Sequence, residues 1–166
     1  GKLDDGDELI GNLEETATGI YEMKELLYGK YLVRETKAPE GFELDTGVYS
    51  VFINDDEKTY DVENKAGVGF INQAMKGNLK IVKTSSDGKV EGFTFRVTGA
   101  NGYDRSFTTD KNGEIYIEEL RIGEYTVSEV NDNVSAGYVM PADKKAAVKV
   151  GSTTVVEMHN VLRDTP

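Results

Sequence analysis

The chain has 166 residues, no cysteine and a formal net charge of -11 at neutral pH. The acidic balance excludes nucleic acid and an anionic membrane surface as partners, because both repel a polyanion. Neither disulfide nor thiol chemistry is available, and no apolar run is long enough to insert in a membrane or shaped as a signal peptide.

In chain order, residues 1–18 are acidic and turn-like around Asp4-Asp5-Gly6-Asp7. That run lacks the spacing of a calcium-binding loop, so it reads as a solvated turn, and no metal or other cofactor is expected. Ile20 to Leu26 predicts a short strand, and Gly29 a turn. From Tyr31 the residues alternate, with Tyr31, Val33 and Glu35 on one face and Leu32 and Arg34 on the other, which is a strand period. Glu35 is the anomaly, since a carboxyl on an apolar face costs free energy unless it is protonated, paired or hydrogen-bonded. Ala38-Pro39-Glu40-Gly41 ends this strand. Val48 to Ile53 predicts another, Asn54-Asp55-Asp56 a hairpin turn, and Thr59 to Val62 and Val68 to Ile71 two more strands. Asn72 to Gly77 reads as an interdomain joint.

The second half predicts strands over Leu79 to Thr84, Phe93 to Val97, Ser106 to Thr109, Glu114 to Ile117, Tyr125 to Val130, Ala146 to Val150 and Thr154 to Val161. Ser85-Ser86-Asp87-Gly88 and Asn131-Asp132-Asn133 are turns between them. Short, evenly spaced strands without a convincing amphipathic helix predict an all-β sandwich or barrel.

The two halves are related. Gly19 to Glu35 lies over Gly113 to Glu129 without a gap, 94 residues later. Gly19/Gly113, Glu25/Glu119, Leu26/Leu120, Gly29/Gly123, Tyr31/Tyr125, Val33/Val127 and Glu35/Glu129 are identical. One fixed offset signals tandem copies of a structural unit, placed at residues 1–74 and 75–166. Strand parity in the second copy is informative. Leu79 and Ile81 share a face with Lys83, while Lys80 points away. Tyr125 and Val127 share one with Glu129, and Val156 and Met158 share one with Asn160. A first, a middle and a last strand each send one polar residue to the apolar side, and three such violations together carry more than any one alone.

Leu79-Lys80-Ile81-Val82-Lys83 ahead of Asp87-Gly88-Lys89, the repeated Leu–Gly–Tyr–Glu pattern, Ala38-Pro39-Glu40-Gly41-Phe42 after Glu35, and Phe70-Ile71-Asn72 at a domain end occur in a characteristic order. With these motifs the chain resembles the Cna protein B-type family. Its members are the immunoglobulin-like modules of Gram-positive surface adhesins and sortase-assembled pilins. Tyr31 to Phe42 is similar to the pilin E-box. The resemblance implies two tandem immunoglobulin-like (prealbumin-like) β-sandwiches in an extracellular, cell-wall-anchored protein whose partners are neighbouring domains. It also implies an intramolecular isopeptide bond in the second domain, with Lys83 as nucleophile, Asn160 as electrophile and Glu129 as the assisting acid. Lys80 is the alternative nucleophile.

Glu35 and Asn72 match the acid and the acceptor in the first domain. The counterpart of Lys83 would fall upstream of Gly1, so the first domain is expected to miss N-terminal strand structure and to carry no completed bond. A competing class is a ligand-binding module that recognises host matrix protein or carbohydrate through its loops, with Tyr103 and Tyr138 as exposed aromatic candidates. A turnover enzyme is poorly supported. The single histidine, His159, has the parity opposite to Asn160, and there is no Ser/His/Asp set and no phosphate-binding glycine loop.

Overall fold

The computed structural model describes residues 2–63, 67 and 69–164. The described chain is almost entirely β, as the strand periods predict, and it divides into two units, Gly1–Gln73 and Ala74–Pro166.

In the first unit, β1 (Glu14–Ala17) and β2 (Ile20–Glu22) form one antiparallel pair, and β3 (Gly29–Arg34) and β4 (Val48–Ile53) form another. β1 lies where only acidic turn was predicted. β2 stops well short of Leu26, and Glu25 sits in the left-handed region at φ 57°. A non-glycine residue at such a φ breaks the extended geometry a strand requires. β3 ends at Arg34, so Glu35, which the strand period includes, stands one residue beyond the observed strand. Residues 59–62 and 69–71 are in no strand among the described residues, and Val68 lies outside them. Strand propensity there has no ladder partner to realise it. None of the described residues from 2 to 73 is fully buried.

The second unit is a two-sheet sandwich. One sheet has the order β10 (Tyr138–Val139), β12 (Thr153–Leu162), β5 (Lys76–Ser85), β8 (Glu114–Arg121). The other has the order β11 (Lys144–Val148), β9 (Gly123–Glu129), β6 (Thr94–Gly99), β7 (Tyr103–Thr108). β5 and β12 run parallel with Val156 opposite Ile81, Met158 opposite Lys83 and Asn160 opposite Ser85. Along β5 every second residue from Gly77 to Lys83 is buried, the period of a strand with one face in a core. Leu79, Ile81, Phe95, Val97, Val127 and Met158 are at 0% exposure at the centre of that core.

Gly113 shows how tightly the start of β8 sits against the site. It has φ 79°, and its carbonyl accepts the Lys83 amide proton at 2.7 Å. A Cβ there would lie 2.7 Å from both the Lys83 carbonyl oxygen and Val90 Cβ. Only glycine satisfies both the backbone angle and the space.

Candidate functional site

Glu129 and Asn160 are hydrogen-bonded between the two sheets, and Lys83 is buried close enough for its charge to act on Glu129. β5 and β12 supply Lys83 and Asn160 from one sheet, and β9 supplies Glu129 from the other. Exposure is 1% at Lys83, 8% at Glu129 and 0% at Asn160. Each is the end member of an alternating apolar series on its strand, so the pleat that buries Ile81, Val127 and Met158 also buries them. In the β5–β12 register Lys83 faces Met158, and Asn160 lies two residues further along the same face.

Asn160 Nδ2 donates to Glu129 Oε1 at 3.0 Å and reaches the Val139 carbonyl at 3.5 Å. Among the described residues, two buried side-chain oxygens have no hydrogen-bond partner, Glu129 Oε2 and Asn160 Oδ1. Buried polar atoms are rarely left so, and each orphan carries a desolvation cost of about 1–3 kcal/mol. Burial pushes the Glu129 carboxyl up from its ordinary value, against the pull of the Asn160 hydrogen bond and of Lys83. Burial also lowers the Lys83 amine, with Glu129 and Asp87 acting the other way. The direction in both cases is towards the neutral form.

Lys83 Nζ lies 4.2 Å from the centre of the Phe93 ring and 6.0 Å from that of Tyr138, and it donates to the Thr84 carbonyl. Lys80 lies on the opposite face, half-buried, with Nζ 3.1 Å from Glu114 Oε1. His159 is exposed, and its Nδ1 lies 2.8 Å from Thr84 Oγ1.

The first unit repeats part of this arrangement. Asn72 Nδ2 donates to Glu35 Oε2 at 2.7 Å, the counterpart of the Asn160–Glu129 contact. The same Glu35 oxygen also accepts the Asp45 amide at 2.7 Å, so two N–H donors converge on it. Every described lysine of this unit is exposed, and none is hydrogen-bonded to Glu35 or Asn72 among the described residues.

The aromatic candidates for ligand recognition are not exposed. Tyr138 is 5% exposed in the core, and Tyr103 is half-buried edge-on to Tyr125 with ring centres 5.6 Å apart. The sequence alone suggests exposed aromatics at both positions. Tyr138 is instead on β10, whose pairing with the distant β12 leaves no local signal. Phe93 and Asp87 also border the site, which their sequence does not signal, because one has the pattern of a core strand position and the other that of a turn former.

Fold and site together define a tandem of prealbumin-like β modules. The family model described as the SpaA prealbumin-like fold domain matches residues 2–66 and 77–162, and the chain belongs to that family. Among solved structures it is similar to the Bacillus anthracis TIE protein, at 22% identity and a TM-score of 0.51 over 80% of this chain and 34% of that one. It is also similar to GBS52, the minor pilin of Streptococcus agalactiae, at 20% identity and a TM-score of 0.48 over 74% of this chain and 62% of that one. The shaft pilin spaA of Lactobacillus rhamnosus GG matches at 15% identity and a TM-score of 0.46, over 82% of this chain and 66% of that one. The chain spans less than two thirds of the first solved structures it matches. At these identities the likeness concerns the fold. No curated protein matches.

Proposed function

We propose that this chain is a structural module of a bacterial cell-surface stalk or pilus, and that its second unit locks itself with a Lys83–Asn160 isopeptide bond formed under Glu129. The observation that supports this most is the burial of an amine, a carboxyl and an amide in one space. It goes with two orphaned oxygens and with displacement of both ionisable groups towards neutrality. A proton on Glu129 Oε2 would give that oxygen an O–H to donate and so offer the Asn160 amide oxygen a partner. The carboxyl group would then polarise the amide as an electrophile.

The neutral Lys83 Nζ attacks Asn160 Cγ. The Nζ–Cγ bond forms and the Cγ–Nδ2 bond breaks. Glu129 lends a proton to the developing tetrahedral centre and relays the amine's proton to Nδ2. Ammonia leaves, and the carboxyl ends as it began. The strand register holds the partners together, so positioning supplies much of the barrier reduction. The reaction runs once per chain and has no turnover.

The mechanical consequence follows from β5 and β12 being parallel neighbours. Tension applied at the start of β5 and the end of β12 pulls the pair in shear. With the bond closed, it passes from Lys76–Lys83 through the amide into Asn160–Leu162, and the rest of the sandwich is bypassed. Such a staple needs no cysteine and resists reduction. Cell-surface location belongs to the same reading. No helix among the described residues is long and apolar enough to cross a membrane.

The test is the intact mass of the purified chain beside Lys83→Ala and Glu129→Ala. A deficit of one ammonia that both substitutions abolish supports the reading. A full mass in the unaltered chain overturns the bond.

A further inference from the structure

Asp87 lies in the turn after β5, and Tyr138 opens β10. The Tyr138 hydroxyl donates to Asp87 Oδ2 at 2.6 Å across 51 residues of chain. The other carboxylate oxygen, Oδ1, accepts Ser85 Oγ at 2.8 Å and the Lys89 amide at 3.2 Å, so the acceptor is fixed from its own turn. The Tyr138 carbonyl accepts Arg163 Nε at 3.1 Å. The Tyr138 ring stands edge-on to Phe93, with centres 5.3 Å apart, and both rings lie against Lys83 Nζ. Phe93 and Tyr138 also line a cavity of about 530 Å³ with Gly88, Lys89, Val90 and Lys111. Lys83 does not line it. The two rings therefore touch the cavity and the amine alike.

We propose that the Asp87–Tyr138 hydrogen bond is a latch that keeps this aromatic wall closed over Lys83, making Asp87 and Tyr138 positioning residues for the cross-link. The proposal rests on the cross-link reading above. The groups that face the amine are the Glu129 carboxyl from β9, the Asp87 carboxylate from the turn and the Tyr138 phenol from β10, with Asp132 acting on Glu129. Glu129 and Asp87 both favour the ammonium, which cannot attack. Exclusion of water is the opposing and larger influence. A wall that opens admits water from the cavity and stabilises the charged form. The Tyr138–Asp87 bond holds the Asp87 carboxyl down at about 2 and the Tyr138 phenol up at about 12, so the latch stays a phenol–carboxylate pair across the neutral range.

The experiment follows ammonia loss by intact mass as the full chain, chemically synthesised and kept in urea at acid pH so that it has never folded, is diluted into folding buffers from acid to alkaline. Tyr138→Phe keeps the ring and loses the donor, and Asp87→Ala removes the acceptor. Tyr138→Phe, which leaves the Asp87 charge in place, should slow the reaction at neutral pH by roughly tenfold, the factor for one unit of amine pKa, and recover as the pH rises. Asp87→Ala should slow it less, because it also removes a charge that favours the ammonium. Asp87→Asn retains an acceptor and should stay nearer the unaltered chain. An unchanged rate and pH profile in Tyr138→Phe overturns the latch. Equal slowing at every pH also overturns it, because that pattern belongs to a packing defect that leaves the amine's protonation alone. An unaltered chain that never loses ammonia removes the reaction itself and the latch with it. An unaltered chain that reacts beside unaffected variants removes the latch only.

Discussion

Tyr31 and Tyr125 hold the same place in the two copies of the repeat and make the same bond. Each donates its hydroxyl to the carbonyl four residues earlier, Leu27 or Arg121, at 2.6 Å. Glu25 and Glu119 share a left-handed backbone at φ 57° and 60°, and Gly19 and Gly113 share one at 76° and 79°. Around those matching geometries everything differs. Tyr125 is 1% exposed and Tyr31 half-buried. A Cβ on Gly113 would collide with Lys83 and Val90, whereas one on Gly19 would meet nothing within 4 Å. β9 has β11 on one side and β6 on the other, whereas among the described residues β3 pairs with β4 alone. Local sequence is therefore enough to set turns and local hydrogen bonds. Burial needs neighbouring strands, and the chemistry needs burial. Glu129 is pushed towards neutrality in a closed space, while Glu35 accepts two N–H donors in an open one.

The sharpest way to break this contrast is to remove the covalent staple from the second unit. Lys83→Ala should lower its unfolding free energy by about 4 kcal/mol, the range for closing a loop of this length, as read from denaturant midpoints. The same substitution should leave the first unit's transition where it was. Equal midpoints with and without Lys83 would place the difference between the units elsewhere. The mass experiment bears on the contrast as well, because a deficit of two ammonias would mean that Asn72 also finds a lysine.

Hydrogen exchange gives the next largest effect. Amides of the β9–β11 ladder should exchange far more slowly than those of β3–β4, since opening the former exposes a core and opening the latter exposes little. Comparable protection in the two ladders would sink the argument from burial. A smaller effect separates the two tyrosines. Tyr125→Phe should cost about 1 kcal/mol by taking the hydroxyl of a buried ring from the half-buried Arg121 carbonyl, and Tyr31→Phe less than half of that, because water replaces the hydroxyl at Leu27.

The smallest effect is one of pH. The Asp87 carboxyl is lowered from 3.8 to about 2, so its contribution to stability is complete above about 3.8 and is lost as the pH falls through 2. Acid titration of the unfolding midpoint should show a loss of stability in that window that is smaller in Asp87→Asn, with Asp104, held down by its hydrogen bond to Arg96, supplying the rest. The first unit has a depressed carboxyl of its own, Asp45, held down by the Ile71 and Gly47 amides and the Tyr49 hydroxyl, so its acid response should be unchanged by Asp87→Asn.

Much of the candidate site could be read without coordinates. Lys83, Glu129 and Asn160 each close an alternating series, and alternation alone puts them on the buried face with Ile81, Val127 and Met158. Lys80 reads as outward by the same rule and is paired with Glu114. The rule fails where a strand is short or has no partner. Thr59 to Val62 has the composition of a strand and forms none, and Tyr138 passes for a loop aromatic although it belongs to the core.

The sequence by itself determined the repeat, the turns and the parity of three polar residues. These follow from glycine's freedom, the two-residue pleat and one fixed offset, all of which act within a few residues. Only the tertiary structure decided that β5 lies beside β12, that β10 brings Tyr138 onto Asp87, and that Lys83 loses its water while the described lysines of the first unit keep theirs. Desolvation is a property of everything that surrounds a group, and what surrounds Lys83 comes from strands up to 77 residues away along the chain.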